Sequence, residues 1–360
     1  CIMWIQNLKL NNFRNYFYEN IDFNEDINIF LGDNAQGKTN LLESVYYLAN
    51  AKSFKTVRDK DIIMFKEASM KLEGRIRNDN SFKNVSIEAS EKDKDIYVNG
   101  IKYAKNKDLK ALFKLVLFTP EDLSIIKEGP NFRRDLLDDI IISVDYSYSN
   151  IKKNFDKLLI QRNRLLKNQK SKFFLEQLDA FDQQVIKSGY AIYQRREKFL
   201  RLINGFANSY HKNLSDNKED LSLSYKPDIF AQSFEEYGEK FKKNRPHDLK
   251  LMTTSSGVNR DDIDIKINGK EVKKFGSQGQ QRSTILNIKL AQVKLIKESS
   301  LDKAIILFDD VFSELDESRS QFLLDNLGDY QTIITATNIK SLENVDKSKV
   351  RKISKDHILS

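Results

Sequence analysis

The chain is poor in the residues that announce special architectures. It has one cysteine, Cys1, so no internal disulfide can form and nothing marks an oxidising compartment. Only 4 prolines and 13 glycines occur in 360 residues, which argues against a disordered or fibrous protein. No apolar run approaches the roughly 18 residues of a membrane span, and the N-terminus has no apolar signal core. These absences point to a soluble cytoplasmic protein without a membrane partner. Residue 1 is not methionine, and Met3 reads as the start, with Cys1 and Ile2 upstream. What is present is a hydrophobic fraction of 40% with 11% aromatics. That supplies a real core and a length for two or three lobes at about 100–200 residues each.

Charge is unevenly spread. The chain carries +8, and the segment 150–201 holds thirteen Lys and Arg against five Asp and Glu, a net of +8 that leaves the remainder near neutral. A basic lobe on a neutral one is the footprint of a polyanion binder, set against the plainer reading of a solvated helical face.

Apolar residues alternate through 3–31, predicting three strands at the start of a sheet, and the pattern resumes over 68–103 with a hairpin at Asn99-Gly100. A helix is predicted from about Gly37 to Ala49, burying Leu41, Leu42, Val45, Tyr46 and Leu48. Residues 131–212 lack proline and show helical spacing, predicting two long helices joined near Asn168 to Ser171. They are too short for an extended coiled coil and form a compact arm. Strands return near Leu221, with a second turn at Asn268-Gly269, and the last ninety residues run helix, strand, helix, strand, which a parallel sheet accommodates.

Two motifs carry chemistry. Gly32-Asp33-Asn34-Ala35-Gln36-Gly37-Lys38-Thr39 follows a predicted strand and opens a helix, the context of a phosphate-binding loop. Its glycines let backbone amides wrap phosphates, Lys38 meets the β and γ oxygens and acts in catalysis, and Thr39 takes a place on Mg²⁺. In AIILFDDVFSELD, Asp309 ends a buried strand where it can hold the Mg²⁺ hydration shell, and Asp310 can orient or deprotonate the attacking water. The plain alternative for Asp310 is a capping or structural acid. ATP is the expected nucleotide.

FGSQGQQRS, residues 275–283, places a second glycine-rich stretch at a helix entrance about 240 residues further on. Pointed at the same nucleotide, Ser277 and the Gly279 amide would duplicate the first loop. Covering the γ-phosphate held by another copy gives them a separate task, and makes ATP the glue of a dimer.

The order of these motifs resembles the ATP-binding-cassette superfamily. NLKLNNFRNY, GDNAQGKTNLLE, FTPEDL, KEGPNFRRDLLD, RDD, FGSQGQQR and DDVFSELD are similar, more narrowly, to the RecF family of bacterial recombinational-repair proteins, through nearly the whole chain and in order. The resemblance implies an α/β fold: a P-loop ABC-type ATPase head with mixed sheet, and a mainly helical arm domain inserted between its two halves, as 1–120, 121–220 and 221–360. It implies that Gly32 to Thr39 with Asn40 bind ATP, that Ser277, Gln278, Gly279 and Gln280 contact the partner's ATP, that Arg14 approaches the nucleotide, and that Ser313 to Asp316 cross the dimer seam. It further implies a weak DNA-stimulated ATPase, an ATP-dependent homodimer, DNA at single-strand gaps or single-strand/duplex junctions, and RecO and RecR as partners in loading RecA.

There are departures. Where the family reads G-P-H-R-D-D, this chain has Gly257-Val258-Asn259-Arg260-Asp261-Asp262, which removes whatever that histidine does. After the last predicted strand, Thr337 or Asn338 stands where transporters keep a switch histidine, and neither accepts a proton as imidazole does. With Asp310 in place of the longer Glu, slow hydrolysis is expected. Two other readings are a transporter ATPase subunit and a non-hydrolysing ATP-dependent scaffold.

Overall fold

The computed structural model describes residues 3–78, 81–103, 109, 114–170, 172–299, 303–338, 349–354 and 357–359. The chain divides into two compact units, one of residues 1–122 with 296–360 and one of 123–295. The sequence reading returned the chain to the head at 221; residues 221–295 instead group with the helices of the second unit.

The first unit contains two six-stranded sheets. Strands β1 (Met3–Phe13), β2 (Tyr16–Asp22), β4 (Ser69–Asn78), β5 (Ser81–Ser90), β6 (Lys94–Val98) and β7 (Ile101–Tyr103) form an antiparallel sheet in the order β2-β1-β4-β5-β6-β7. Asn99 and Gly100 take φ of 50° and 78°, the two left-handed positions that a two-residue hairpin needs, and Val98 pairs with Ile101 as the sequence predicted.

Strand β3 (Ile27–Leu31) corrects the expected three-stranded start. It leaves β1 and β2 and runs parallel to β13 (Thr332–Ala336) and β14 (Val350–Ser354). Its sequence INIFL is nearly continuous in apolar residues, the pattern of a strand covered on both faces, whereas β1 alternates buried Leu8 and Leu10 with exposed Lys9 and Asn11. The second sheet has the order β15-β14-β3-β13-β12-β8, with β8 Leu115–Phe118, β12 Ile305–Asp309 and β15 His357–Leu359; only β15 runs antiparallel to its neighbour. Helix α1 (Lys38–Asn50) packs on both sheets. It buries Leu41, Leu42, Val45, Tyr47 and Leu48, while Tyr46, expected inside, is half-buried.

In the second unit the predicted first long helix is divided. Helix α2 (Pro130–Val144) stops at Asp145, whose carboxylate accepts from the Ser147 amide and caps α3 (Tyr146–Lys167). Neither Gly nor Pro marks this break, so spacing alone ran through it. Helix α4 (Phe174–Leu214) is continuous over 41 residues, about 60 Å at 1.5 Å per residue. The join falls beside the predicted place, of which Ser171 lies outside the described residues.

Helices α5 (Phe234–Lys243), α6 (Arg245–Leu251) and α7 (Gln278–Ser299) follow, with a small antiparallel sheet of β9 (Leu221–Lys226), β10 (Asp262–Ile267) and β11 (Lys270–Glu271). Asn268 and Gly269 make its tight turn at φ of 50° and 76°. Helix α8 (Glu317–Leu327) belongs to the first unit. Each unit has its own apolar core. Among the described residues no helix is long and apolar enough to cross a membrane.

Candidate functional site

The loop between β3 and α1 lies at the carboxyl ends of parallel strands, where open α/β sheets carry ligand crevices. Gly32 is required there, because a Cβ would stand 2.6 Å from the Ile353 carbonyl oxygen of β14. Ala35 and Gly37 take φ of 65° and 90°, curling the loop before α1 starts, and Asp33, Asn34 and Ala35 are exposed. A helix start of this kind offers amides with no acceptor of their own, which is what phosphate oxygens need. The Lys38 ammonium donates to the Gly32 carbonyl and, at 3.3 Å, to that of Asp33. Burial lowers its pKa, and the charges of Asp310, Asp309 and Asp33 oppose that shift.

Residues 14–16 brace this helix start. Tyr16 Oη donates to the Gly37 carbonyl at 3.2 Å, and Asn40 Nδ2 donates to Asn15 Oδ1 at 2.7 Å. Arg14 forks onto the fully buried Glu43 at 2.8 and 2.6 Å and also donates to the Asp61 carbonyl. The resemblance aimed Arg14 at the nucleotide; here its guanidinium is held by Glu43 of α1 beside the phosphate loop.

Opposite lies the acidic edge. Asp309 is directly paired with Thr335 across β12 and β13, and the Thr335 hydroxyl donates to Asp309 Oδ1 at 3.0 Å. Burial pushes the Asp309 pKa up, against hydrogen bonds from Thr39 and Thr335 and the charge of Lys55. Thr39 and Asp309, both expected on the metal, are therefore in contact. Asp310 adopts a left-handed φ of 52°, and its amide donates to the Thr335 carbonyl at 3.1 Å. Its Oδ1 is buried without a hydrogen-bond partner. Leaving such an oxygen unmatched costs about 1–3 kcal/mol, which a water or cation at that position would recover.

Among the described residues no group of three or more His, Cys, Asp or Glu could hold a metal. Mg²⁺ fits this site in its usual manner, through one or two side chains completed by phosphate oxygens and water.

Sequence reasoning missed Lys55. Its ammonium donates to Asn40 Oδ1 at 3.3 Å; burial lowers its pKa, while Glu43 and then Asp309 raise it. It is a second cation beside the phosphate loop, within a stretch, AKSFKT, whose spacing matches no pattern. Thr335 was missed as well, being one of many threonines until its strand is paired.

The second glycine-rich stretch lies in the other unit. Ser277 and Gln280 form a reciprocal cap at the start of α7: the Gln280 amide donates to Ser277 Oγ at 3.2 Å and the Ser277 amide to Gln280 Oε1 at 2.8 Å. Ser277 and Gln278 are exposed, Gly279 and Gln280 partly so. Of the residues expected at a dimer seam, Ser313 Oγ donates to the Asp310 carbonyl at 2.6 Å, and Asp316 caps α8 by accepting from the Arg319 amide. Thr337 is half-buried and Asn338 exposed just beyond β13.

The RDD stretch has a structural task. Asp261, 1% exposed, accepts from Arg196 at 2.9 Å, from the Tyr225 hydroxyl and from the Asp228 amide, while Asp262 receives a fork from Arg133 at 2.7 and 3.1 Å. Arg134 donates to the Asp261 carbonyl. KEGPNFRRDLLD and RDD thus hold each other, and the Val258 carbonyl accepts from Arg196 at 2.6 Å where the family motif has proline.

Arg162 and Arg196 are also withdrawn from the basic face, buried against Asp182 and Asp248 and against Asp138 and Asp261 respectively. Nine of the thirteen basic side chains of 150–201 remain exposed, against two of the five acidic ones. The second unit as a whole has 32 Lys and Arg against 22 Asp and Glu, and the first 28 against 30.

A family model described as the RecF/RecN/SMC N terminal domain matches residues 4–358. The DNA replication and repair protein RecF of Lachnoclostridium phytofermentans is 39% identical over 344 residues, 95% of either chain. That of Streptococcus pneumoniae is 38% identical over 351 residues, 96% of either. A solved structure of the recombination mediator protein RecF with ATP, of the RecFOR pathway, superposes with a TM-score of 0.90 at 30% identity, covering 99% of this chain and 97% of that one. The Smc head domain of Pyrococcus furiosus reaches a TM-score of 0.56 at 15% identity, a likeness of fold alone, covering 99% of this chain and 95% of that one.

Proposed function

The chain belongs to the RecF family of DNA replication and repair proteins, and from that premise we propose that it is an ATP-operated DNA-binding protein whose closed form is a dimer. The family removes the transporter reading. Gly32 to Thr39 receive the phosphates of ATP, with Lys38 at the β and γ oxygens. Thr39 and Asp309 hold Mg²⁺, which when bound neutralises phosphate charge. Asp310 turns its unpartnered oxygen to the attacking water and accepts its proton.

The observation that carries the dimer is the cap of α7: Ser277 and Gln278 stand exposed at the helix N-terminus. That end closes on the γ-phosphate held by a second copy, and closure sets two basic units on DNA. Hydrolysis is slow, because Asp310 is short and Thr337 and Asn338, not a histidine, stand directly after β13. It opens the dimer and releases the DNA, at gaps or junctions where RecO and RecR assist in loading RecA.

Light scattering with and without MgATP tests this. Wild type dimerises with MgATP, and Ser277→Arg keeps monomeric ATP binding but loses the dimer. A wild type that stays monomeric at saturating MgATP refutes the reading. Asp310→Asn separates the switch from a non-hydrolysing scaffold, since unchanged phosphate release would remove Asp310 from the chemistry. DNA affinity should also fall steeply with salt, as counterion release demands.

A further inference from the structure

We propose that Glu219 is the positioning residue of the Ser277–Gln280 loop and that it ties this loop to the end of α4. The inference rests on the proposed role of that loop at a partner's nucleotide.

Gln280 performs two tasks with one amide group. Its Oε1 accepts from the Ser277 amide at 2.8 Å, and its Nε2 donates to Glu219 Oε1 at 2.7 Å. The second bond decides which way the amide faces. With Glu219 present, only one orientation gives each end a partner; without it the group can turn over and release the Ser277 amide.

Glu219 is itself held from behind. Its backbone amide donates to Ser215 Oγ at 3.2 Å, and its other oxygen, Oε2, lies 2.9 Å from His211 Nε2 in the last turn of α4. His211 is 1% exposed, and its Nδ1 lies 2.9 Å from Asn287 Nδ2, two turns beyond Gln280 on α7. With Asn287 donating, Nδ1 is the acceptor and Nε2 carries the proton given to Glu219. Asn287 holds this pose although its own Oδ1 is left buried without a partner.

The chain Ser277, Gln280, Glu219, His211, Asn287 therefore starts at the exposed cap, crosses to the end of the long helix α4 and returns to the capped helix. A turn or slide of the end of α4 must move the Ser277 cap. Occupation of the arm by DNA and closure of the loop on a nucleotide are coupled through Glu219.

The test uses the full chain carrying E219A, E219Q, Q280A or the E219A/Q280A pair, with S277R as reference. Dimerisation is read by light scattering at saturating MgATP, monomeric ATP affinity by nucleotide retention, and DNA-stimulated phosphate release by kcat and KM. E219A is expected to weaken the MgATP dimer about tenfold, the size of one lost charge-assisted hydrogen bond. It lowers kcat without raising KM and leaves monomeric ATP affinity within about twofold. The pair should be no worse than either single change, since both break one link.

E219Q keeps the shape but cannot accept from both Gln280 and His211, so it shows the same loss in smaller degree and covers the case in which E219A folds poorly. Wild-type dimers from folded E219Q and Q280A, with S277R still monomeric, overturn the positioning role and leave the proposed function standing. Dimers from S277R overturn both.

Discussion

Asp261→Ala is the perturbation whose size the structure determines most directly. The carboxylate is 1% exposed and takes three donors: Arg196 at 2.9 Å, the Tyr225 hydroxyl and the Asp228 amide at 3.0 Å. Arg196 keeps its fork onto Asp138 at 2.9 Å for both nitrogens and its bond to the Val258 carbonyl, so the truncation leaves one weakened cation and two stranded neutral donors. A lost bond to a charged group is worth about 1.5–3 kcal/mol and a stranded buried donor about 1–3 kcal/mol. Asp228 is exposed, so the loss at its amide is the smallest of the three. The sum falls at about 3–5 kcal/mol, the range found when a buried pair loses one member.

For a unit spanning residues 123–295, each kcal/mol moves the midpoint by roughly 2–4 °C, so a fall of about 10 °C is expected. Calorimetry of the full chain should show the transition of the second unit shifting while ATP retention by the first is preserved. Asp261→Asn, which keeps an acceptor, should shift it about half as far. A midpoint for Asp261→Ala within about 2 °C of wild type would refute the argument, because it would mean that Arg196 and Tyr225 lose nothing worth about 1 kcal/mol.

Three further outcomes follow from the site. Lys38→Ala should abolish ATP retention with little loss of fold, because the ammonium's partners in the protein are two loop carbonyls; retained binding would contradict the phosphate assignment. Asp309→Asn should end hydrolysis yet raise the thermal midpoint of nucleotide-free protein at neutral pH. Burial raises the folded pKa of Asp309, so its charged form burdens the native state. That burden is absent below the ordinary carboxylate pKa, grows as pH rises towards the raised value and is constant above it, so the variant's advantage should vanish in acid. A variant less stable than wild type at pH 7 would count against the shift. Arg14→Lys should destabilise the first unit by about 1–3 kcal/mol, since a single ammonium cannot fork onto the buried Glu43. Nucleotide affinity lost with full stability would instead return Arg14 to the ligand.

Much of the site was legible in the chain because it is built from local pieces. A phosphate loop is eight consecutive residues whose glycines and lysine act where they stand, and Asp309 ends a strand that any buried apolar run would predict. The glycine-rich entrance of α7 that holds Ser277 and Gln280 is likewise a few consecutive residues. The Asn-Gly turns needed only two.

What lay beyond reach depends on pairing and burial between distant segments. That β3 deserts its hairpin neighbours for β13, that Arg14 grips Glu43, that Thr335 bonds Asp309 and that Lys55 stands beside Asn40 are consequences of strand order and packing. Spacing along the chain carries no record of these. Charge shows the same division. Composition located the basic arm, but only burial revealed that Arg162 and Arg196 face inward, since a guanidinium enclosed among aspartates and one facing water are written with the same letter and differ only in what surrounds them.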